Sequence, residues 1–145
     1  MKALDNNLFF EEVKRIISEG ASVEILVRGK SMTPYLKDGI DTVVIAPFEP
    51  SELKKGDVVL FFNANGYFLH RIIKRKGNSF TIQGDGVVKK QEETSLSDII
   101  GIVRFVIRRS GRSVSVNRWS HIVYWKSWLF FRTLRRYLLV IYRLF

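Results

Sequence analysis

Ser31 is the side chain best presented for nucleophilic chemistry, standing in Gly29-Lys30-Ser31-Met32-Thr33-Pro34-Tyr35. An alternating run, Val23-Glu24-Ile25-Leu26-Val27-Arg28, precedes it and reads as a half-buried strand. Gly29 can take a positive φ or admit a close neighbouring chain. Pro34 fixes φ and removes a donor, and Thr33 before it is steered away from helix. The serine is thus held on a turn of defined shape, which suits a nucleophile and equally suits an ordinary tight turn.

A serine nucleophile needs a base within hydrogen-bond reach and donors for the developing oxyanion. His70 lies in Tyr67-Phe68-Leu69-His70-Arg71-Ile72-Ile73, an alternating run that puts it on one face with Phe68 and Ile72 and puts Arg71 on the other. A neutral imidazole accepts a proton near pH 7 without any large pKa shift, whereas a lysine base must first be desolvated. Lys54, Lys55, Lys74 and Lys76 flank turns and read as solvated, and His121 stands apart as incidental. Asp85, in Gln83-Gly84-Asp85-Gly86 at the end of the next strand, is a candidate to orient the imidazole; Gly-Asp-Gly is equally an ordinary turn. Glu92 or Glu93 is the fallback.

The elements that must carry these residues follow from hydrophobic period. Leu4, Leu8, Phe9, Val13, Ile16 and Ile17 recur at helical spacing and Gly20 supplies a stop, which predicts an amphipathic helix over 5–19. The period then switches to two. Strands are expected at Ser22–Arg28, Asp41–Ala46, Asp57–Phe62, Tyr67–Lys74, Ser79–Gln83 and Ile100–Arg108, with a short Ser113–Val116 after them. Asn65-Gly66 between two alternating runs signals a hairpin. The fold class expected is mainly β, a small barrel or folded sheet of short strands. The chain divides into an amino-terminal helix (1–20), a β-rich domain (21–117) and a carboxyl-terminal helix (118–145).

The 145 residues contain no cysteine, which excludes disulfides, zinc–thiolate sites and a cysteine nucleophile. Two histidines argue against an all-histidine metal centre. The polar start, Met1 to Asn7, does not read as a secretory signal, and no run of eighteen apolar residues offers an ordinary transmembrane helix. All fourteen acidic residues fall at or before Asp98, where fourteen basic residues balance them. The remainder holds ten basic residues and no acidic one, and so carries the whole net charge of +10. In that tail Val123, Phe130, Phe131, Leu134, Leu138, Ile141 and Tyr142 share one helical face, opposite Arg132, Arg136 and Arg143. The pattern suits peripheral membrane contact through 119–145, and equally a helix docked on its own domain or on a partner. It disfavours nucleic acid, because the aromatics form an apolar stripe rather than a stacking platform.

Taken together, the segments form an ordered set: Gly29-x-Ser31-Met32-x-Pro34; Asp38-Gly39-x-Asp41-x-Val43-Val44; Leu53-x-x-Gly56-Asp57-Val58-Val59-x-Phe61; His70-Arg71-Ile72-Ile73; Gly84-Asp85-Gly86; and Ile99-Ile100-Gly101-x-Val103. Over about residues 23 to 104 this resembles the superfamily of type I signal peptidases and LexA-like self-cleaving repressor peptidases. The resemblance implies a fold of coiled antiparallel sheets and serine endopeptidase activity, with Ser31 as nucleophile. It puts His70 where most bacterial members have lysine and where the endoplasmic-reticulum and archaeal type has histidine. Asp85 lies in the box that leads into that type's catalytic acid, although the acid's own spacing falls near Gln91 or Glu92. Gly29 replaces the hydroxyl residue usual in signal peptidases, as in the repressor-like members, so the oxyanion would rely on backbone N–H groups around Ser31. The usual amino-terminal membrane anchor has no counterpart in this sequence.

The expectation is therefore a serine endopeptidase that cuts a leader or signal-like segment of a peptide or protein through a Ser31/His70 dyad, or a triad with Asp85. It calls for no cofactor. Substrate would add as a β-strand along a sheet edge, with Gly29, Met32 and Pro34 forming the oxyanion and substrate pocket. Self-cleavage at Gly20-Ala21 is disfavoured by the short span to Ser31. The alternative is a catalytically weak or inactive peptide-binding module that acts with a membrane or protein partner. Either belongs in a bacterial or archaeal cell, cytoplasmic or peripheral to the membrane.

Overall fold

The computed structural model describes the backbone of residues 2–130 and 135–144, and the side chains of 8–130 and 137–144. The first helix, α1 (Lys2–Ser18), buries Val13 and Ile17 against the sheet. On its outer side Arg15 pairs with Glu12 and, at 2.8 Å, with Glu19. The helix stops as the sequence suggests. Gly20 takes φ +94°, its N–H reaches the Ile17 carbonyl at 2.9 Å, and the Ala21 N–H reaches that of Ile16 at 3.2 Å. These two bonds are those of a Schellman cap.

Eight strands follow: β1 (Val23–Leu26), β2 (Thr42–Ala46), β3 (Val58–Asn63), β4 (Gly66–Lys76), β5 (Ser79–Gln83), β6 (Glu92–Ser95), β7 (Ile99–Ile107) and β8 (Ser113–Ser115). They form one antiparallel sheet in the order β1-β2-β7-β3-β4-β5-β6, and β8 pairs with the far end of β7. The protein is mainly β. The register slips between Val44 and Ile45, between Leu60 and Phe61, and between Ile72 and Lys74. Such bulges sharpen the twist, and the sheet bears a core on each face. On β3, Val58 and Leu60 enter one cluster with Val13, Ile17 and Met32, whereas Val59 and Phe61 enter the other with Ile72 and Phe80. Burial on both faces explains why β3 is written as an unbroken apolar run.

The β3–β4 hairpin forms where Asn65-Gly66 signals it, with a small offset. Ala64 and Asn65 are the loop, and Gly66 opens β4 at φ +122°. Strand β6 is absent from the sequence expectation because Glu92-Glu93-Thr94-Ser95 has no apolar alternation. It is held instead as an edge strand, with Glu92 opposite Ile82 and Glu93 opposite Thr81.

In the tail the structure describes helix over α2 (Trp119–Phe130) and α3 (Arg135–Leu144), both within the helix that the sequence predicts over 118–145. The expected apolar face does not pack inward: Val123, Phe130, Leu138, Ile141 and Tyr142 are exposed. The inward face of α2 is instead His121, Tyr124, Trp125 and Trp128, selected because the domain presents it with polar groups that need donors and acceptors. Phe131, Arg132 and Leu134 lie outside the described residues, as does the side chain of Arg136. Among the described residues no helix is long and apolar enough to cross a membrane.

Candidate active site

The Ser31 turn is built from β1 outward. Gly29 turns the chain at φ +86°, and its N–H is held by Asp38 Oδ1 at 2.9 Å. Thr33 folds back, its hydroxyl donating to the Lys30 carbonyl at 2.8 Å. Ser31 is half-buried, and Met32 behind it is buried in the core. Among the described residues, the backbone N–H groups of Ser31 and Met32 are given to no acceptor. Free N–H groups beside a nucleophile are what an oxyanion requires.

The loop 84–86 clasps this turn from below. The Gly86 N–H donates to the Ser31 carbonyl at 2.8 Å, and the Asp85 N–H lies 3.4 Å from Met32 Sδ. A Cβ on Gly84 would stand 2.2 Å from the Ser31 carbonyl oxygen, and one on Gly86 2.5 Å from that of Lys30. The two glycines are therefore required for backbone-on-backbone contact, a demand stronger than that of a turn.

His70 is 6% exposed on β4, directly across from Val59 of β3. His70 stands one residue from the Arg71–Gln83 pair that ends the β4–β5 register, near enough for Asp85 of the loop to act on it electrostatically. His70 and Ser31 thus both stand near the same loop. Their side chains are not hydrogen-bonded to each other. Instead, Nδ1 of His70 lies 3.2 Å from Glu92 Oε2, close but not aligned as a hydrogen bond, and Glu92 Oε1 accepts from Asn63 Nδ2 at 3.3 Å. Cross-strand partners share a face, and the series Ile72, Ile82, Glu92 carries the carboxylate to the face of His70. Burial among Phe61 and Phe68, whose ring centroids lie 5.3 and 6.1 Å away, lowers the His70 pKa below the ordinary imidazole value. Glu92 and Asp85 oppose that shift only in part. The imidazole is neutral at pH 7, the form a general base needs.

Asp85 is committed elsewhere. Its two carboxylate oxygens receive Nε and Nη2 of Arg71 at 2.9 and 2.8 Å, and Oδ2 also accepts the Tyr124 hydroxyl at 2.9 Å. Its carbonyl accepts Trp128 Nε1 at 2.9 Å. Arg71 and Asp85 are 2% and 1% exposed, and Arg71 further donates to the Gly56 carbonyl at 2.8 Å. Asp85 therefore ties β4, the glycine loop and α2 into one unit, with its carboxylate bonded to Arg71 and Tyr124 rather than to His70; the carboxylate beside the imidazole is that of Glu92.

No family model matches this chain, and no curated protein matches it in sequence.

Ser31, Gly29 and Met32 line a groove of about 400 Å³ bounded by β1 and by Tyr67 to Leu69 of β4. Phe9 and Phe10 of α1 form its third wall. Phe10 stacks on Tyr67 at 4.7 Å, and the Tyr67 hydroxyl donates to Glu11 at 2.5 Å. Pro34, grouped with this pocket by the sequence reading, lines a different cleft with Tyr35, His121 and Tyr124. His121, read from sequence as incidental, is buried and shares a 2.7 Å hydrogen bond with the Tyr35 hydroxyl. Arg71, Tyr124, Trp128 and Asn63 were not singled out either. A legible signal exists only for Arg71, a cation beside His70 in the largely apolar run Tyr67–Ile73, which demands an anion if it is buried.

Proposed function

We propose that this chain is a serine endopeptidase of the signal-peptidase and LexA-like type, with Ser31 as nucleophile, His70 as general base and Glu92 as the residue that positions the imidazole. The observation that carries the reading is the shared loop. Gly84–Gly86 supports the Ser31 carbonyl, and it follows directly on the strand end paired with Arg71, the neighbour of the buried His70. A mainly antiparallel β sheet supports this reading.

In the proposed reaction His70 accepts the Ser31 proton as Oγ attacks the substrate carbonyl, and the negative charge forms beside the backbone N–H groups of Ser31 and Met32. The C–N bond then breaks, His70 returns the proton to the leaving amine, and an acyl ester remains on Ser31. Water, deprotonated by His70, releases the acid and restores the enzyme. The Ser31–His70 hydrogen bond closes when substrate fills the groove, since such contacts tighten in the Michaelis complex. An extended peptide fits the outer edge of β1, which is terminal in the sheet and runs along the groove toward Ser31. The substrate is a leader or signal-like segment of a peptide or protein.

The test is acylation by a penem or fluorophosphonate probe, read by intact mass. The wild-type chain is expected to gain one adduct, and Ser31→Ala none, with its thermal midpoint unchanged. A wild-type chain that binds extended peptides in the groove but is never acylated would make it a binding module instead.

A further inference from the structure

We infer that the outward faces of α2 and α3 form a docking surface for an anionic lipid bilayer. Helix α2 is fixed to the domain by its inner face, through Tyr124 and Trp128 on Asp85 and through Trp125 packed on Gly56. That attachment turns the other face outward. Trp119, Val123 and Lys126 recur there at four- and three-residue spacing, and Trp119 and Val123 are 72% and 54% exposed. Helix α3 carries a second exposed apolar arc. Leu139 is buried, while Leu138, Val140, Ile141, Tyr142 and Leu144 are exposed over a broad arc.

So large an apolar surface needs a cover, and charge selects which. From Arg118 onward the chain holds six basic residues and no acidic one. A second copy of the chain would bring the same six cations against these, and a nucleic acid would satisfy the charge while leaving the apolar arc in water. An anionic bilayer satisfies both: headgroups meet the arginines and lysine, and the aromatic and aliphatic side chains enter the interface. Among the described residues no helix is long and apolar enough to cross a membrane, and the proposal lays both helices along the surface. Trp and Tyr at such a boundary keep an apolar ring inside and a polar edge at the headgroups.

The experiment is flotation of the full chain with vesicles of phosphatidylcholine alone or mixed with phosphatidylglycerol, at low and high salt. Binding should be at least about tenfold stronger to the mixed vesicles and should weaken with salt, since each basic residue near an anionic surface contributes a factor of about five. The double variant Trp119→Ser/Ile141→Ser, whose sites are exposed, should keep its thermal midpoint and lose most of the binding. Lys126→Glu should weaken binding to the mixed vesicles alone. Light scattering is run in parallel. Absence of flotation with mixed vesicles, full binding by the double variant, or a stable solution dimer that the double variant abolishes would each overturn the inference.

Discussion

Replacing Asp85 and Glu92 one at a time separates a residue that holds the site together from one that serves its chemistry. In Asp85→Asn the Arg71 guanidinium, 2% exposed, loses a two-pronged anionic partner that nothing else in its surroundings replaces. Breaking a buried pair from one side typically costs about 3–5 kcal/mol, because the orphaned charge stays buried. At roughly 3 °C per kcal/mol for a chain of this size, the thermal midpoint should fall by roughly 10–15 °C. Glu92 is different, with its side chain 24% exposed on an edge strand. Glu92→Gln should cost at most about 1 kcal/mol, yet it removes the carboxylate 3.2 Å from His70 Nδ1. Loss of that partner leaves the imidazole free to take the wrong tautomer, and cleavage should drop about 10²-fold or more. The assays are thermal unfolding by circular dichroism and turnover of a quenched-fluorescence leader peptide, on both variants. Asp85→Asn with a wild-type midpoint and no turnover, beside a fully active Glu92→Gln, would refute the assignment and return the orienting role to Asp85.

Three further outcomes follow from the same geometry. Because burial lowers the His70 pKa, the imidazole remains neutral as pH falls below 6.5, so the acid limb of kcat/KM should lie below the ordinary histidine range. Glu92 raises that pKa, so Glu92→Gln should move the limb further down while lowering the plateau; a limb that moves upward would contradict the pairing. The same depression makes the unfolded chain bind more protons than the folded one. The contribution of His70 to stability should be complete above its unfolded pKa and should be lost as pH falls through the folded value, a slope that His70→Gln removes in pH-dependent unfolding. Gly84→Ala would place a Cβ 2.2 Å from the Ser31 carbonyl, so the turn must shift; a cost of about 1–3 kcal/mol and loss of most cleavage are expected, and a variant with full activity would show that the clasp is dispensable.

Much of this arrangement is legible in the sequence, and the boundary falls along physical lines. The helix over α1 and its stop at Gly20, the period-two strands, and the pinned turn around Ser31 are local matters, set by side-chain periodicity and by the backbone freedom of glycine and proline. So is the face of His70, which alternation puts with Phe68 and Ile72. Partnership between distant residues was not legible. Asp85 sits near His70 in any reading of the hairpin, but its carboxylate goes to Arg71 because a buried guanidinium without an anion is the larger penalty. Glu92 reaches His70 only because β6, polar and without period, is captured by the edge of β5. The tail shows the same division: its amphipathicity is a property of the sequence, whereas the face turned inward was chosen by Asp85 and Gly56, which only the folded sheet assembles.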